Sequence, residues 1–409
     1  MKLDTQWVRT QFPAFSQSLY DGQSFFENAG GSFTCGQVID RLTRFYTQRK
    51  VQPYAPFEIS QVAGAEMDEA RSRLSAILNV ATDELCFGPS TTQNTYVLAQ
   101  AFGQMMRPGE AIIVTNQDHE ANSGPWRRLA DAGIEIREWQ IDPETGYLDP
   151  TDLMALLDDK VRLVCFPHCS NVVAEVNDAA AICQIIHDAG AVACVDGVSY
   201  APHGLPDIGA LGADIYLFSA YKTFGPHQGI MTIRRDLGMA LPNQGHHFNG
   251  ETLYQRFTPA GPDHAQVAAC AGMADYIDAV HAHHFDADPD PDPRERAIAV
   301  HDLARVHETA LMQPLLDFIA AKNSVRLLGP RDAAKRAPTV ALDCARAGHD
   351  LAAELAPHGI MAGGGDFYAQ RPLNAMGVDP DRGVLRVSFV QYTDKSDIDR
   401  LIRALDQVL

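Results

Sequence analysis

Short apolar runs alternate with helical stretches through the middle of this 409-residue chain, and this alternation constrains the fold more than any other feature. Runs of roughly four to six apolar residues, separated by helices, are typical of strands buried on both faces of a mainly parallel sheet. The predicted strands are 111–115, 134–139, 161–166, 191–195, 214–219 and 229–233, and the predicted helices between them include 124–133, 150–159 and 178–190. The pattern predicts an α/β domain with helices on both sides of one sheet.

An acidic, proline-rich segment at 281–293 interrupts this alternation. Its composition predicts a solvated connector, and we interpret its histidines as exposed residues rather than metal ligands, so no metal site is expected. Helices at 294–320, 350–358 and 395–409 and strands at 339–342 and 384–390 follow it. We therefore expect a large domain over 20–280 and a smaller α/β domain formed by 1–19 together with 294–409.

The net charge and the cysteine content indicate which binding partners and which cellular compartment to expect. The net charge of −19 repels phosphate backbones and anionic lipids, so neither nucleic acid nor a membrane is expected as a partner. No apolar run is long enough for a transmembrane helix, and residues 1–15 lack the apolar core of a signal peptide. The eight cysteines lie mostly in apolar runs without a Cys-x-x-Cys motif, which predicts reduced thiols in a cytoplasmic protein.

Two residues with complementary chemistry stand at the ends of neighbouring predicted strands. Asp196 follows the run 191–195, and Lys222 follows 214–219. Ligands of such sheets bind beyond the carboxyl ends of the strands. A lysine amine can form a Schiff base with pyridoxal 5'-phosphate (PLP), and a carboxylate can keep its pyridine nitrogen protonated. Singly, Lys222 would be interpreted as a surface lysine and Asp196 as a helix N-cap, but together they indicate a PLP site.

Six motifs in a fixed order extend this interpretation to nearly the whole chain. They are 26–31 (Phe-Glu-Asn-Ala-Gly-Gly), 87–94, 118–126, 168–172, 194–229 and 385–392. In this order they resemble the motifs of class V, fold-type I PLP enzymes in the cysteine-desulfurase-like branch. The resemblance implies a large domain with a mainly parallel seven-stranded sheet, a smaller C-terminal α/β domain, and a homodimer whose active sites lie at the interface. It also implies PLP as the cofactor and a small amino acid as the substrate.

The resemblance assigns roles to individual residues. Lys222 and Asp196 are the implied catalytic residues. The implied substrate-binding residues are Arg386, Asn28 and Asn171, and the implied cofactor-binding residues are Thr91, Thr92, Glu120, Asn171, Asp196, Ser199, Ser219, Tyr221 and Lys222. The residue types agree with these roles, because a helix N-terminus suits a phosphate dianion and a guanidinium suits an α-carboxylate. Taken alone, the Thr91–Thr92 segment would be an ordinary helix cap and Arg386 a surface ion pair.

Several positions depart from the family pattern. Tyr368 falls where cysteine desulfurases carry the loop cysteine that accepts sulfur, and a phenol cannot accept sulfane sulfur. Glu120 falls where the family stacks a histidine on the cofactor ring. Ser199 stands where the family has a Gln or a His, and Tyr221 stands where it has a His. Near Gly261, the threonine that reaches the partner subunit's phosphate is missing. These departures indicate a divergent subgroup that lacks the loop cysteine.

The expected activity is PLP-dependent cleavage of a C–S or other β-bond of a small amino acid. Lys222 carries the cofactor, is displaced as the substrate forms the external aldimine, and then removes the Cα proton. A class V aminotransferase is the alternative, and reprotonation at Cα would instead give epimerisation. A non-catalytic PLP-binding regulatory homologue fits less well, because Arg386 is present.

Overall fold

The computed structural model describes residues 2–286 and 291–409. The strands are β1 (Ser24–Phe25), β2 (Leu85–Gly88), β3 (Ala111–Thr115), β4 (Glu135–Trp139), β5 (Val161–Pro167), β6 (Val192–Asp196), β7 (Ile215–Ser219), β8 (Gly229–Ile233), β9 (Val325–Leu327), β10 (Thr339–Cys344), β11 (Ile360–Met361), β12 (Gly363–Gly365) and β13 (Val384–Ser388). The α-helices are α1 (Thr5–Thr10), α2 (Gly36–Arg44), α3 (Glu58–Leu78), α4 (Thr91–Met105), α5 (Gly124–Arg127), α6 (Pro150–Leu156), α7 (Ala179–Asp188), α8 (Ile208–Leu211), α9 (Arg235–Ala240), α10 (Leu253–Arg256), α11 (His264–Ala269), α12 (Ala271–His284), α13 (Pro293–Ala320), α14 (Gly348–Leu355), α15 (Gln370–Ala375) and α16 (Lys395–Val408).

A seven-stranded sheet in the order β2-β8-β7-β6-β5-β3-β4 forms the centre of the large domain. Only β8 runs against the other strands of this sheet, which agrees with the predicted mainly parallel architecture. Along β7, successive side chains point to opposite faces of the sheet and pack into two different apolar clusters. Tyr216 and Phe218 pack on one face of β7, and Ile215 and Leu217 pack on the other. Because both faces are apolar, the helices must cover both, and each fully buried Leu or Ile stabilises the fold by about 1.5–3 kcal/mol.

The predicted helix at 124–133 is shorter in the structure. The α-helical part, α5, ends at Arg127, and a tighter 3₁₀ turn continues over Arg128–Ala132. Gly133, which has a φ of +82°, ends that turn and leads into β4. The helical segment is therefore part α-helix and part 3₁₀ helix, and it leads directly into the next strand.

The small domain has an antiparallel four-stranded sheet in the order β12-β13-β10-β9. Its own apolar core includes Leu342, Val387, Leu315 and Leu401, contributed by the sheet and by α13 and α16. The N-terminal segment joins this domain: β1 pairs with β11, and Glu27 forms a bridge with Ser388 in β13. Residues 24–28, which we expected in the large domain, therefore pair with strands of the small domain.

The expected connector at 281–293 is only partly covered by the structure. Its first four residues belong to α12, which continues to His284, and its last residue begins α13 with Asp292 as N-cap. Residues 287–290 of the connector lie outside the described residues. Within the described parts of the chain, no helix is both long and apolar enough to cross a bilayer.

Candidate active site

Lys222 and Asp196 lie in one cleft at the carboxyl ends of β7 and β6. The cleft has about 480 Å³ of free space. It is lined by Thr91, Thr92, His119, Ala121, Pro167, Cys169, Asn171, Asp196, Val198, Ser199, Ser219, Tyr221 and Lys222. The two residues meet because β6 and β7 are parallel neighbours in the sheet, so their carboxyl ends share one edge.

Burial shifts the acid–base properties of both groups. Burial, together with the positive charge of Arg386, lowers the pKa of the Lys222 amine to about 8, although the charges of Asp196 and Glu27 oppose the shift. Burial raises the pKa of Asp196 to about 6, against a hydrogen bond from the Val198 backbone N–H and the charge of Lys222. Among the described residues, no carboxylate lies within ion-pair distance of Lys222 Nζ. The cleft therefore holds an amine that is readily deprotonated and a carboxyl group that is readily protonated.

Hydroxyl groups and a helix N-terminus form the opposite wall of the cleft. Thr91 and Thr92 begin α4, and the Thr91 and Ser219 hydroxyls are 2.7 Å apart. Gly229 in β8 lets the sheet approach this helix closely, because a Cβ there would lie 2.5 Å from the Thr91 backbone nitrogen. The first N–H groups of a helix have no partner within the helix and carry its positive dipole end. This wall therefore suits a phosphate group.

His119 lines the cleft, whereas Glu120, which the resemblance assigned to cofactor binding, is not among the lining residues. The Glu120 carboxylate points away and forms an ion pair of 3.1 Å with Arg371, with its side chain half exposed. His119 is buried, and burial together with the charges of Lys222 and Arg386 lowers its pKa to about 3. The imidazole is therefore neutral at pH 7 and can stack on an aromatic ring. An aromatic side chain directly before Glu120 was the signal that would have identified it.

Ser199 and Tyr221, which the resemblance assigned to cofactor binding, both line the cleft. Ser199 follows β6 and lines the cleft beside Asp196. Tyr221 directly precedes Lys222, and its ring stacks on His227 with centroids 4.8 Å apart. Stacking fixes the tyrosine ring at the edge of the cleft beside the helix α4 wall.

Asn171 lines the cleft, but part of its amide is already engaged. Its Nδ2 donates a 3.0 Å hydrogen bond to the Phe367 carbonyl, while its buried Oδ1 has no partner among the described residues. Phe367 and Tyr368 both have positive φ angles, and the Glu120 N–H donates to the Tyr368 carbonyl at 2.9 Å. The loop that contains Tyr368 is therefore held against the large domain at the edge of the cleft.

Arg386 is buried beside the cleft rather than in its lining. Its Nη2 lies 2.5 Å from Glu27 Oε1, its Nη1 donates to the Asn171 carbonyl at 3.3 Å, and its guanidinium stacks on Phe367 at 3.7 Å from the ring centroid. Sequence reasoning identified Arg386 but missed Glu27 and Phe367. An acidic residue just before Gly30 and Gly31 was the available signal for Glu27.

Asn28, which the resemblance assigned to substrate binding, is not among the residues that line the cleft. Its Nδ2 donates to the carbonyls of Ser388 (3.0 Å) and Phe25 (3.3 Å), and its Oδ1 accepts from the Tyr392 hydroxyl. The side chain is 2% exposed. Because its hydrogen-bonding groups are used within the protein, Asn28 holds the N-terminal segment against β13.

All eight cysteines are free and buried. Cys169 lines the cleft, but its thiol contacts the carbonyls of Ser170 and Ala174, and burial raises its pKa to about 12. A thiol with such a pKa is almost entirely protonated at neutral pH and is a poor nucleophile. The described residues contain no cluster of three or more potential metal ligands.

The residues of the cleft fit PLP. Lys222 would supply the amine and Asp196 the carboxyl group for the pyridine nitrogen, while His119 would offer a neutral ring for stacking and Thr91 and Ser219 would offer hydroxyls for the phosphate. The unpartnered Oδ1 of Asn171 is a buried polar atom that a bound group would satisfy. The cleft thus offers an amine, a carboxyl group, a ring and hydroxyl groups, which are kinds of contact that PLP-binding sites use.

Comparisons with known proteins all point to one family of enzymes. The family model described as "Aminotransferase class-V" matches residues 24–288 and 297–401. The chain is 32% identical over 414 residues to the "Aminotransferase-like protein FGM3" of Gibberella zeae, covering 98% of each chain. It is 28% identical over 428 residues to the cysteine desulfurase of Pectobacterium atrosepticum, covering 100% of this chain and 98% of the relative.

Solved structures of cysteine desulfurases have the same fold as this chain. The crystal structure of the cysteine desulfurase CsdA from Escherichia coli matches with a TM-score of 0.82 at 25% identity, over 100% of this chain and 99% of that chain. The apo structure of the cysteine desulfurase from Thermococcus onnurineus NA1 matches with a TM-score of 0.85 at 22% identity, over 100% and 98%. The predicted fold-type I α/β fold with a mainly parallel central sheet is confirmed.

Proposed function

Because the chain belongs to the class-V aminotransferase family and is a cysteine desulfurase-like, PLP-dependent enzyme, we propose that it cleaves a C–S or other β-bond of a small amino acid. One observation carries this proposal: the Lys222 amine and the Asp196 carboxyl group are buried together in one cleft beside Arg386. When bound, PLP supplies an electron sink that stabilises negative charge at the substrate Cα.

Lys222 and Asp196 handle the protons in this proposal. Lys222 would hold the cofactor through its amine, and the neutral form of the same amine would accept the proton from the substrate Cα. Its lowered pKa keeps a useful fraction of the amine neutral near pH 7. Asp196 would hold a proton at the pyridine nitrogen of the cofactor through a charge-assisted hydrogen bond. Arg386 binds the substrate α-carboxylate.

The fate of the leaving group follows from the cysteines. The loop 360–370 contains no cysteine, and the thiols elsewhere in the chain are buried. If the substrate is cysteine, its sulfur then leaves as sulfide, while pyruvate and ammonia form from the remainder with the uptake of one water. The loop residue Tyr368, 73% exposed, takes no part in sulfur transfer.

The proposal is tested in two steps. The purified protein loaded with PLP should show the absorbance band of a lysine-bound cofactor, Lys222→Ala should lose it, and Lys160→Ala, a lysine in the surface turn before β5, should keep it. The loaded enzyme is then mixed with a panel of amino acids, and sulfide, pyruvate, ammonia and keto acids are measured. A band that survives in Lys222→Ala contradicts the catalytic assignment.

Transamination is the second candidate, because the matching family model and the fungal relative both carry the word aminotransferase in their names. The same panel distinguishes the two reactions. Keto-acid formation that depends on an added amino acceptor supports transamination, whereas sulfide or pyruvate formed without an acceptor supports β-bond cleavage.

The assembly and the compartment complete the proposal. We propose a homodimer with the active site at its interface, because members of this family are typically homodimers, and an open groove of about 1,030 Å³ lined by Phe87, Tyr96, Pro259 and Pro262, among others, is a candidate surface for the partner subunit. Light scattering on the PLP-loaded protein tests this assembly. Eight free, buried cysteines are typical of a protein in the reducing cytoplasm.

A further inference from the structure

Arg386, which the proposed function assigns to the substrate α-carboxylate, already has a carboxylate partner. Glu27 Oε1 lies 2.5 Å from Arg386 Nη2. The contact is monodentate, because Glu27 Oε2 and Arg386 Nε are both buried without a hydrogen-bond partner among the described residues. Glu27 therefore uses one side of a guanidinium that could bind a carboxylate with two hydrogen bonds.

Two glycines leave the space in which the Glu27 carboxylate lies. A Cβ added at Gly30 would lie 2.8 Å from Glu27 Oε1, and a Cβ at Gly363 would clash with Oε2. Gly363 is in β12, directly across the sheet from Arg386 in β13. The N-terminal segment and the small-domain sheet thus both accommodate Glu27 in the position where it contacts Arg386.

Access to the guanidinium is closed on a second side by Phe367. The ring covers the Arg386 guanidinium at 3.7 Å, and only 3% of Arg386 is exposed. The Asn171 side chain holds the Phe367 carbonyl, which keeps the ring in place. A substrate carboxylate that enters from the cleft therefore meets an arginine whose charge is already neutralised and whose face is already covered.

Resting on the proposed function, we propose that Glu27 is a specificity-determining residue that occupies Arg386 in the resting enzyme and is exchanged for the α-carboxylate of the amino-acid substrate. The exchange replaces one carboxylate–guanidinium contact with another, so a carboxylate alone gains little by binding. An amino acid gains more, because its amine also binds in the cleft at Lys222. The Glu27–Arg386 pair thereby selects against simple carboxylates and favours substrates that carry both groups.

The test uses propionate, a carboxylate without an amine, titrated into the PLP-loaded enzyme by calorimetry. In Glu27→Gln, Arg386 is left as a buried cation without an anionic partner, so propionate should bind about tenfold more tightly than to the wild type. The matched control is Glu354→Gln, which removes a carboxylate that pairs with Arg346 on the surface of the small domain. It should leave propionate affinity unchanged.

A second variant removes the contact without removing the charge. In Gly30→Ala, the new methyl group displaces the Glu27 carboxylate, and propionate affinity should again rise. The KM for the amino acid identified in the panel should fall in both variants, with a smaller change in kcat. Unchanged or weaker propionate binding in both variants would overturn the proposal.

The absorbance band of the lysine-bound cofactor, recorded on the same samples, separates this proposal from the proposed function. If the wild type shows no band, the proposed function has failed. If the band is present in every variant and propionate affinity does not rise, the exchange alone has failed.

Discussion

The pH dependence of PLP capture tests the environment of Lys222. Burial and the Arg386 charge lower the pKa of its amine from 10.5 to about 8. Only the neutral amine can attack the cofactor aldehyde. Because the pKa in the folded protein is depressed, the reactive form predominates above pH 8 and is lost as the pH falls below that value. An exposed lysine would gain reactivity only on approaching pH 10.5.

The size of the effect follows from the two pKa values. At pH 7, an amine with a pKa of about 8 is about 9% neutral, against about 0.03% for a pKa of 10.5, which is a difference of about 300-fold. The assay mixes apoenzyme with PLP in a stopped-flow instrument and follows the absorbance of the lysine-bound cofactor. The rate should rise about tenfold per pH unit below pH 8 and level off above it.

A variant pair identifies the cause of the shift. Arg386→Gln removes the positive charge that lowers the Lys222 pKa, so the midpoint should move to higher pH, although burial keeps it below 10.5. Arg346→Gln removes an exposed arginine of the small domain and should leave the midpoint unchanged. A wild-type rate that still climbs tenfold between pH 9 and pH 10 would refute the reasoning, because it would place the amine in water.

Three further predictions concern the walls of the cleft. Asp196→Asn should lower kcat by about 100-fold while the cofactor still binds, because the amide cannot hold a proton at the pyridine nitrogen, and steady-state kinetics measure this. His119→Ala should weaken PLP binding by about two- to tenfold through the lost stacking, whereas Glu120→Ala should change it less, as fluorescence titration of the apoenzyme would show. Gly229→Ala places a Cβ against the backbone at Thr91, so it should destabilise the protein by about 1–3 kcal/mol in denaturant unfolding and weaken PLP binding.

The central sheet could be predicted because its signal is local. The strands of 111–233 other than β4 are short apolar runs, and both faces of such a strand require the same residue types, whereas β4 mixes polar and apolar residues. The placement of Lys222 and Asp196 followed from the same pattern, because the ends of consecutive parallel strands meet at one edge of the sheet. The predicted helix at 124–133 was less accurate, since Gly133 and a 3₁₀ turn shorten its α-helical part.

Side-chain direction in irregular segments could not be predicted in this way. His119 and Glu120 are adjacent, and which of them faces the cleft depends on the 3₁₀ turn that begins at Glu120. The His119 ring accepts a hydrogen bond from the Ala121 N–H, which fixes its direction, and the Arg371 side chain draws Glu120 outward. Neither contact leaves a periodic pattern in the sequence, so the sequence alone could not show which of the two side chains faces the cleft.

Arg386 shows why a correct residue type is not enough to predict a binding site. Its position in β13 and its affinity for carboxylates follow from the sequence and from the chemistry of guanidinium. Its partner Glu27 is 359 residues away and reaches it because β1 pairs with β11 and Glu27 bridges to Ser388, a neighbour of Arg386 in the same strand. The free energy that a substrate carboxylate gains at Arg386 is the difference between two carboxylate contacts, one internal and one external. The size of this free energy therefore depends on the tertiary fold, which places Glu27 beside Arg386. The positive charge of Arg386 alone predicts only that a carboxylate is attracted.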